Sequence, residues 1–420
     1  MRVPPLLTSP FGALLLSDSL MLLAVMVGHV TIPWFIAQNG GAPDLARYGA
    51  TAAVMAIVTM PLMSPLGDRY SKRWLITGAL AAFAASAAVL AWWVGSHSYQ
   101  LNALLAIQVV PVMAMAIVQP TSTSFVAEIV PTSDLTRAVS WQQTAQSLGR
   151  LAGPALGGMA LAMAGTAATL WVYAALLLLA TAFAMRLPNG VPLPKPATAA
   201  GWWADIRAGL RANWLVRIER GWMASNFVTW LFFFPAFTML VPLKVLSLNL
   251  SALWLGLCEA ALALGMLAGA LGVSRWWMGR YGRFNTRVVC AALQGVGLAV
   301  AGITAQPLVL VTAFAFVGMA NSAMVLVGQT HRTLARPIAF RARMSAGSMM
   351  TSQIAASLGP LIAGAALLRW PIEGVYTAFG LLDGLAALSI AVVPGFRALM
   401  ALDHHEVEGW YGKAYPKAFT

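Results

Sequence analysis

Charged residues are scarce in this chain: Asp, Glu, Lys and Arg make up 9% of its 420 residues, whereas hydrophobic residues make up 60%. Soluble domains carry about 25% charged and about 45–50% apolar residues. A large soluble core does not account for this composition, because the apolar runs are too long and too numerous. The chain is therefore predicted to be an integral membrane protein.

Cysteine is also scarce, since the chain has only Cys258 and Cys290, and both fall inside apolar segments. They provide no disulfide framework and are interpreted as small packing residues. The sequence has no Walker motif, so ATP is not the predicted direct energy source. It also has no Gly-x-Ser-x-Gly elbow, His-Glu metal pair or paired catalytic acids, which disfavours an enzyme. We expect no cofactor and no metal site, and a tail after the last apolar segment is interpreted as solvated despite its polar run His404, His405, Glu406 and Glu408.

Twelve apolar segments can be counted, which predicts an all-α membrane protein with twelve transmembrane helices. The first is too long for a cleaved signal sequence and is expected to remain as a span. The predicted spans are 10–36, 50–66, 74–95, 100–126, 138–164, 166–186, 218–243, 251–275, 287–305, 308–330, 343–367 and 374–396.

Basic residues are distributed unequally between the two sides of these spans. Twelve spans place both termini on one side, and that side collects 22 of the 26 Lys and Arg residues against 3 on the other. The positive-inside rule therefore predicts that both termini are cytoplasmic. The same distribution accounts for the net charge of +13 without a nucleic-acid partner.

The longest connection, 187–217, begins with prolines and continues as a cationic amphipathic helix. Its large apolar residues recur at helical spacing with arginines between them, which predicts a helix lying in the cytoplasmic interface. These apolar residues are Trp202, Trp203, Ile206, Leu210 and Trp214.

The two halves of the chain resemble each other in sequence. Five residues of the first half recur 206 positions later: Pro131, Arg137, Gly153, Pro154 and Gly158 match Pro337, Arg343, Gly359, Pro360 and Gly364. Parallel repeats of this kind build many secondary transporters, whose substrate site lies between the repeats. We therefore predict two six-helix bundles, 1–186 and 218–399, joined by the linker 187–217 and followed by a cytoplasmic tail, 400–420.

A knot of charge at 65–73 is too dense to lie in hydrocarbon and so marks a membrane surface. Nearly the whole chain resembles a major facilitator superfamily transporter, through its twelve predicted spans in two halves and this charge knot. Gly67-Asp68-Arg69 and Lys72-Arg73 resemble the loop 2–3 signature of that family, although Ser64 stands where a glycine is usual. The corresponding stretch 279–283 resembles a degenerate copy that lacks the acid.

Within the superfamily, the chain most resembles the bacterial branch that contains the enterobactin exporter, the transmembrane secretion effectors. This resemblance rests on Ser17-Asp18, on 131–137, and on Arg150 with Gly153-Pro154. The glycines of span five also resemble the Gly-Pro signature of exporters that exchange substrate for protons.

The resemblance implies that the charge knot is a cytoplasmic gate as well as a marker of orientation. Asp68 would bond to the N-terminus of span eleven near 343–345, where free N–H groups favour an anion. Arg69 would pair with an acid at the end of span four, with Glu128 as first candidate and Asp134 as second. The alternative is a cluster that only fixes orientation. The implied gate residues are Gly67, Asp68, Arg69, Lys72, Arg73, Glu128 and Asp134.

Gly149, Gly153 and Gly157 recur every four residues and so lie on one face of span five. Small residues at this spacing allow two helices to approach closely, and Pro154 adds a bend. Static packing explains this pattern, whereas the resemblance implies a rocking element. The residues assigned to it are Gly149, Gly153, Pro154, Gly157, Gly158, Gly359 and Pro360.

Ionisable residues inside spans are costly and are functional hypotheses by default. The family arrangement lets Asp18, Arg150 and Glu259 face the cavity, whereas Asp383 is expected to pack locally. An Asp18 or Glu259 that alternates between pairing with Arg150 and binding a proton would couple proton entry to substrate exit. The alternative is a structural ion pair. Further candidates, each also explicable by packing or a helix hydrogen bond, are His29, Gln146, Trp230 and Asn321.

Together these features predict a monomeric secondary active transporter of the bacterial inner membrane that works by alternating access. The family resemblance implies proton-coupled export, and the resemblance to the branch alone implies a siderophore or similar small polar metabolite as substrate. Multidrug efflux, import of a metal-loaded siderophore, and a non-transporting membrane sensor of the same fold are the alternatives.

Overall fold

The computed structural model describes residues 9–63, 70–130, 135–189, 199–403 and 405–419, and within those ranges the chain is helical without any β-strand. The first helices are α1 (Pro10–Met63), α2 (Lys72–Ser96), α3 (Leu101–Ile107), α4 (Val109–Ile129), α5 (Leu135–Ala184), α6 (Ala199–Leu215) and α7 (Arg217–Pro235). After a π-helical turn, Ala236–Leu240, come α8 (Val241–Ser247) and α9 (Ala252–Ala268), and a second π-helical turn, Gly269–Val273, leads into α10 (Ser274–Ile303). The remaining helices are α11 (Pro307–Ala335), α12 (Ile338–Leu367), α13 (Ile372–Leu388), α14 (Phe396–Ala401) and α15 (Trp410–Ala414), with 3₁₀ turns at Ser389–Val392 and Pro416–Ala418.

Nine helical segments of the described residues are long and apolar enough to cross a membrane. All nine exceed the roughly 20 residues that one crossing needs, and the three longest are Pro10–Thr59 with 50 residues, Ala152–Ala184 with 33 and Ala252–Ile303 with 52. The prediction of an all-helical, multi-pass membrane protein is thereby confirmed. Each of the three long segments also contains one glycine in the left-handed region, at φ 65°, 77° and 75° for Gly41, Gly165 and Gly282.

The chain reverses direction at Gly165. In a straight helix, Gly157 and Tyr173 would lie about 24 Å apart along the axis. Both nevertheless contact one turn of α1. A Cβ atom on Gly157 would lie 3.1 Å from Cα of Val27, and one on Gly28 would lie 3.1 Å from the ring of Tyr173.

The same argument shows a reversal at Gly282. Gly269 and Gly297 would be about 42 Å apart in a straight helix, yet both approach α11 within Val317–Met319. The predicted loop 276–286 is therefore wrong in extent. It is helical except at this glycine, since one residue with positive φ is enough to turn the chain.

The predicted loop between the first two spans, 37–49, is also wrong in extent. The structure is helical there except at Gly41. Ile32 and Tyr48 line one small cavity, so the two arms of α1 fold against each other. Pro43 does not prevent the second arm from starting at once, because proline is tolerated in the first turn of a helix.

The chain forms two compact units, which are described separately. The first lies within 1–196 and 245–260, and the second within 197–244 and 261–420. The sequence predicts one boundary between the two halves, near 217. The contacts instead divide the chain at three places, after residues 196, 244 and 260. The segment 245–260 clusters with the first unit.

In the first unit, the glycines of α5 pack directly on the first arm of α1. A Cβ on Gly149 would lie 3.5 Å from the backbone N of Leu23, and one on Gly153 would lie 3.2 Å from its carbonyl oxygen. A Cβ on Gly157 would lie 3.1 Å from Cα of Val27. Larger residues on this face would separate the two helices.

The neighbouring face of α5 holds the first half of α9. A Cβ on Gly158 would lie 2.6 Å from Cα of Gly256, and one on Gly256 would lie 2.9 Å from the carbonyl oxygen of Pro154. The two backbones therefore touch at this point, and neither glycine has room for a side chain.

The second unit contains the corresponding contact between α12 and α7. A Cβ on Gly359, which precedes Pro360, would lie 2.5 Å from the carbonyl oxygen of Leu231. Gly153, 206 positions earlier, approaches the carbonyl oxygen of Leu23 in the first unit. The shared contact supports an internal duplication of the chain.

Helix α6 corresponds to the amphipathic helix predicted in the linker, and it packs on α12 in the second unit. A Cβ on Gly209 would lie 2.5 Å from the carbonyl oxygen of Arg343. Nδ2 of Asn213 donates to the carbonyl oxygen of Met344 at 3.0 Å. Trp214, by contrast, is 67% exposed. One face of this helix therefore packs on protein.

The segment after α14 is folded onto the second unit. Val407, Tyr411 and Ala418 are buried, and the backbone N–H of Gly409 donates to the carbonyl oxygen of Leu334 at 2.9 Å. The prediction of a solvated tail is wrong for this segment, because its aromatic residues join an apolar cluster. Its exposed polar residues are His405, Glu406 and Glu408.

Candidate functional site

The first unit contains a cavity of about 590 Å³ between α1, α4 and α5, which we name the α1–α5 cavity. Apolar residues of α1 and Pro120 of α4 form part of its wall. The rest of the wall is polar and includes one carboxylate and one guanidinium. The polar residues are Asp18, Gln119, Ser122, Thr123, Ser124, Gln146 and Arg150.

Asp18 is the buried acid of this cavity and is only 3% exposed. Nε2 of Gln142 donates to its Oδ2 at 2.6 Å. Ser122 lies beside the same carboxyl group, but no described residue makes a hydrogen bond of normal geometry to Oδ1. A buried carboxylate with one unsatisfied oxygen is costly unless it binds a proton or a cation.

The position of Asp18 is fixed by its neighbours in the chain. The hydroxyl of Ser17 donates to the carbonyl oxygen of Ala180 at 2.9 Å, which ties α1 to the second arm of α5. The glycine contacts of α5 hold the other side of the same α1 arm. Asp18 is therefore presented to the cavity by a tightly packed helix pair.

Arg150 lies one turn after Gln146 on α5, and both residues line the cavity. The Arg150 side chain is exposed. Among the residues that the structure describes, no salt bridge joins Arg150 to Asp18. The predicted alternation between these two groups therefore remains a prediction, since the structure shows Asp18 bonded to Gln142.

The other predicted candidates do not line this cavity. Glu259 is 9% exposed on α9, three residues after the glycine that packs on α5, and His29 is half-buried on α1. Trp230 on α7 is 37% exposed and meets the Phe233 ring edge-on, with centroids 5.9 Å apart. The cavity thus collects three of the seven candidates.

Asn321 belongs to a buried polar chain in the second unit. Its Nδ2 donates to Oε1 of Gln294 at 3.0 Å, and Nε2 of Gln294 donates to Oδ2 of Asp383 at 2.8 Å. Asp383 has no exposed surface. This chain gives Asp383 the local packing role expected of it.

Only part of the predicted gate falls within the described residues. Gly67, Asp68, Arg69 and Asp134 lie outside them. Glu128, at the end of α4, forms a salt bridge with Lys72, at the start of α2. Arg73 stacks on the ring of Trp74, 5.2 Å from its centroid. Glu128 therefore has a partner from the predicted basic pair, three residues after the expected partner Arg69 in the sequence.

The sequence did not reveal a buried charged cluster of the second unit, which is formed by Glu219, Arg332 and Arg336. Nη2 of each arginine donates to Oε2 of the fully buried Glu219, at 2.8 Å and 2.9 Å. The hydroxyls of Ser345 and Ser348 accept further hydrogen bonds from the arginines. The signal available in the sequence was one acid at the start of a span among basic loops, with two arginines four residues apart.

A family comparison decides what kind of protein carries this cavity. The family model described as Major Facilitator Superfamily matches residues 14–330. The chain belongs to the major facilitator superfamily. This confirms the family resemblance, and because members of the superfamily are transporters, an enzymatic role is excluded.

Curated relatives in the superfamily include two kinds of transporter. The multidrug efflux pump Tap of Mycobacterium tuberculosis is 26% identical over 259 residues, which cover 59% of this chain and 60% of Tap. The staphyloferrin B transporter of Staphylococcus aureus is 24% identical over 212 residues, which cover 49% of this chain and 48% of that protein. The chain therefore matches about half to three fifths of the length of these relatives.

Solved structures of other transporters share the fold. A bacterial homologue of the iron transporter ferroportin in an inward-facing state has a TM-score of 0.72 at 15% identity and covers 94% of this chain and 99% of its own. A bacterial homologue of the human lysosomal transporter Spinster has a TM-score of 0.65 at 15% identity, with 99% of both chains covered. At these identities the likeness shows the fold alone.

No group of three or more His, Cys, Asp or Glu side chains that could hold a metal ion occurs in the described parts of the chain. The α1–α5 cavity is lined by hydrogen-bonding side chains, one carboxylate and one guanidinium. It can bind a polar solute by hydrogen bonds, pair an anion with Arg150, and bind or release a proton at Asp18.

Proposed function

We propose that this protein is a secondary active transporter that exports a small polar, carboxylate-bearing metabolite such as a siderophore in exchange for protons. The observation that carries the proposal is the α1–α5 cavity, where Asp18 and Arg150 line one space in a chain of the major facilitator superfamily. A cavity with one acid and one base can bind a proton and an anionic solute in alternation.

We further propose that the chain has twelve spans in two six-helix bundles, works by alternating access and acts as a monomer. Nine apolar helical segments and three reversals at glycine support the span count. The unequal distribution of Lys and Arg supports cytoplasmic termini in a bacterial inner membrane.

Asp18 is the proposed proton site. Its Oδ2 accepts a hydrogen bond from Gln142, and its Oδ1 accepts none of normal geometry within the described ranges. Binding a proton would remove a poorly compensated charge from a water-poor site. Glu259 and His29 are secondary candidates, because neither lines the cavity.

Arg150 is the proposed substrate contact. A guanidinium group can bind a carboxylate through two parallel charge-assisted hydrogen bonds. Gln146, one turn away on the same helix, would add a neutral hydrogen bond. The match to a staphyloferrin B transporter supports a siderophore as substrate.

The gate and the rocking element remain proposals that rest on the family resemblance. Arg69 would pair with Glu128, which also forms a salt bridge with Lys72, or with Asp134 as the second acid. Asp68 would keep the gate role that the family signature implies. The α1–α5 glycine contacts would carry the movement, because they keep the two helices together as one rigid body.

A matched pair of variants tests the proton site. Asp18→Asn and Asp383→Asn remove the same group from the same bonding pattern, since each carboxylate accepts one hydrogen bond from a glutamine and has an Oδ1 that accepts none from the described residues. Only Asp18 lines the cavity. Coupling should therefore be lost in Asp18→Asn and kept in Asp383→Asn.

The assay compares a deletion strain complemented with each variant in iron-limited medium, with iron-chelating activity of the medium and mass spectrometry as readouts. Wild type and Asp383→Asn should restore an anionic chelator to the medium, and Asp18→Asn should not. In inside-out vesicles, that chelator fraction should dissipate an imposed proton gradient only with the first two proteins. Equal behaviour of both variants in the vesicles would remove Asp18 from the coupling mechanism.

Multidrug efflux is the second candidate, and the match to Tap favours it. It predicts that deletion leaves the composition of the medium unchanged while raising ethidium retention and drug sensitivity. An importer would instead lower cellular uptake of the iron-loaded chelator. A sensor of the same fold would change none of these fluxes.

A further inference from the structure

The second unit contains a cavity of about 600 Å³ where Gly282 turns the chain within α10. We name it the elbow cavity. The end of α11 and helix α14 complete its wall. Its basic residues are Arg283, Arg397 and His331, and the described residues that line it include no acid.

The basic side chains of the elbow cavity are held in place. Nη1 of Arg283 donates to the carbonyl oxygen of Leu402 at 3.0 Å, and Nε2 of His331 lies 2.9 Å from the same oxygen. The guanidinium carbon of Arg397 lies 5.4 Å from the centroid of the Phe284 ring. Two arginines therefore border one space without an acid of the lining to offset them, which favours an anionic ligand.

One wall of the cavity continues into an apolar face of α10. Asn285 lines the cavity, and Val289, Leu293 and Val296 follow it at intervals of four, four and three residues, so they share its face of the helix. These three side chains are 46%, 38% and 55% exposed. In a helix long enough to cross a membrane, such a face is in contact with acyl chains.

We propose that the elbow cavity binds the phosphodiester headgroup of an anionic phospholipid, with an acyl chain along Val289, Leu293 and Val296. A soluble phosphate has the same charge but would leave the adjoining apolar face unused. The placement of the site in the cytoplasmic leaflet rests on the proposed orientation, and anionic lipids are attracted to basic clusters on that side.

The test measures lipid binding by the purified full-length protein, using native mass spectrometry with phosphatidylglycerol and phosphatidylcholine as probes. Phosphatidylglycerol should be retained and phosphatidylcholine should not. Arg397→Ala should weaken phosphatidylglycerol binding about fivefold, the usual effect of one basic residue at a lipid surface. Arg369→Ala is the matched control, since it removes an exposed arginine of the same unit that does not line the cavity.

Arg397→Lys keeps the charge and should bind as the wild type does, which separates loss of charge from loss of fold. Inorganic phosphate and glycerol 3-phosphate should fail to displace the bound lipid. Equal retention of both phospholipids, equal effects of Arg397→Ala and Arg369→Ala, or displacement by either soluble phosphate would overturn the proposal. These readouts involve no transport, so they do not depend on the proposed substrate or coupling ion.

Discussion

Of the acidic residues described in the second unit, Glu219 is the one whose replacement by a neutral residue should destabilise the unit most. Glu219 is fully buried, and its two oxygens accept hydrogen bonds from Arg332 and Arg336 at 2.8–3.2 Å. In Glu219→Gln the two guanidinium groups would share a buried site with no opposing charge. Arg287 adds to the excess, because it stacks on the Trp222 ring from 4.8 Å while Arg332 stacks on it from 5.1 Å.

The expected magnitude follows from measured buried pairs. Breaking one by removal of a single partner costs about 3–5 kcal/mol, because the remaining charge stays buried and uncompensated. In a unit of about 200 residues, that loss corresponds to a decrease in Tm on the order of 10 °C. Glu408→Gln should leave the Tm unchanged, because Glu408 is exposed in the segment after α14.

The measurement is thermal unfolding of the purified protein in one detergent, followed by size-exclusion chromatography after heating. The double variant Glu219→Gln with Arg336→Met should recover part of the loss, since it also removes one of the buried cations. A Tm for Glu219→Gln that equals the Tm of Glu408→Gln would refute the reasoning. The reasoning would also be refuted if the double variant lost more stability than the two single variants lose in sum.

Two further predictions concern packing. Gly153→Val should lower stability by about 1–3 kcal/mol through a clash with the Met26 side chain. Gly78→Val, on a helix face open within 4 Å, should be neutral or slightly stabilising, because valine has a better helix propensity than glycine. Equal Tm values for the two variants would contradict close packing of α1 on α5. Tyr411→Ala should cost about 3–5 kcal/mol by leaving a cavity at a fully buried ring, whereas Lys413→Ala at an exposed position should be neutral. Limited proteolysis of the segment after α14 would detect the difference. Equal protection of both variants would contradict burial of the Tyr411 ring.

The two buried aspartates show how a local pattern acquires a role only from its surroundings. Asp18 and Asp383 each lie in a predicted span, and each accepts a hydrogen bond from a glutamine on another helix or arm. In the sequence they differ in the span that carries each: the family arrangement lets Asp18 face the cavity, whereas Asp383 is expected to pack locally. The structure adds the cavity beside Asp18, and that cavity makes the proton proposal specific.

Charge partners were the least predictable part of the candidate site. The sequence predicted Arg69 of the charge knot as the partner of Glu128, whereas the structure shows Lys72 as its partner. Arg332 and Arg336 were interpreted only as markers of orientation, yet they pair with Glu219, which is more than 110 positions away. A change of one residue rotates a helical side chain by about 100°, so such partners depend on helix rotations that a single sequence does not specify.

The sequence by itself determined the membrane location and the all-helical class, because long apolar runs with so little charge are stable in lipid and not in water. Its motifs, rather than its composition, carried the resemblance to the family. The sequence also identified the glycines of α5 and the acid at Asp18. Tertiary structure alone decided that single glycines at 41 and 282 turn the chain, that the segment around Tyr411 is buried, and that Glu219 holds two arginines. The physical reason is that lipid and protein interior are both apolar. Hydropathy therefore reports that a helix crosses the membrane, whereas the face that each side chain presents, and to which neighbour, is settled only when the helices pack.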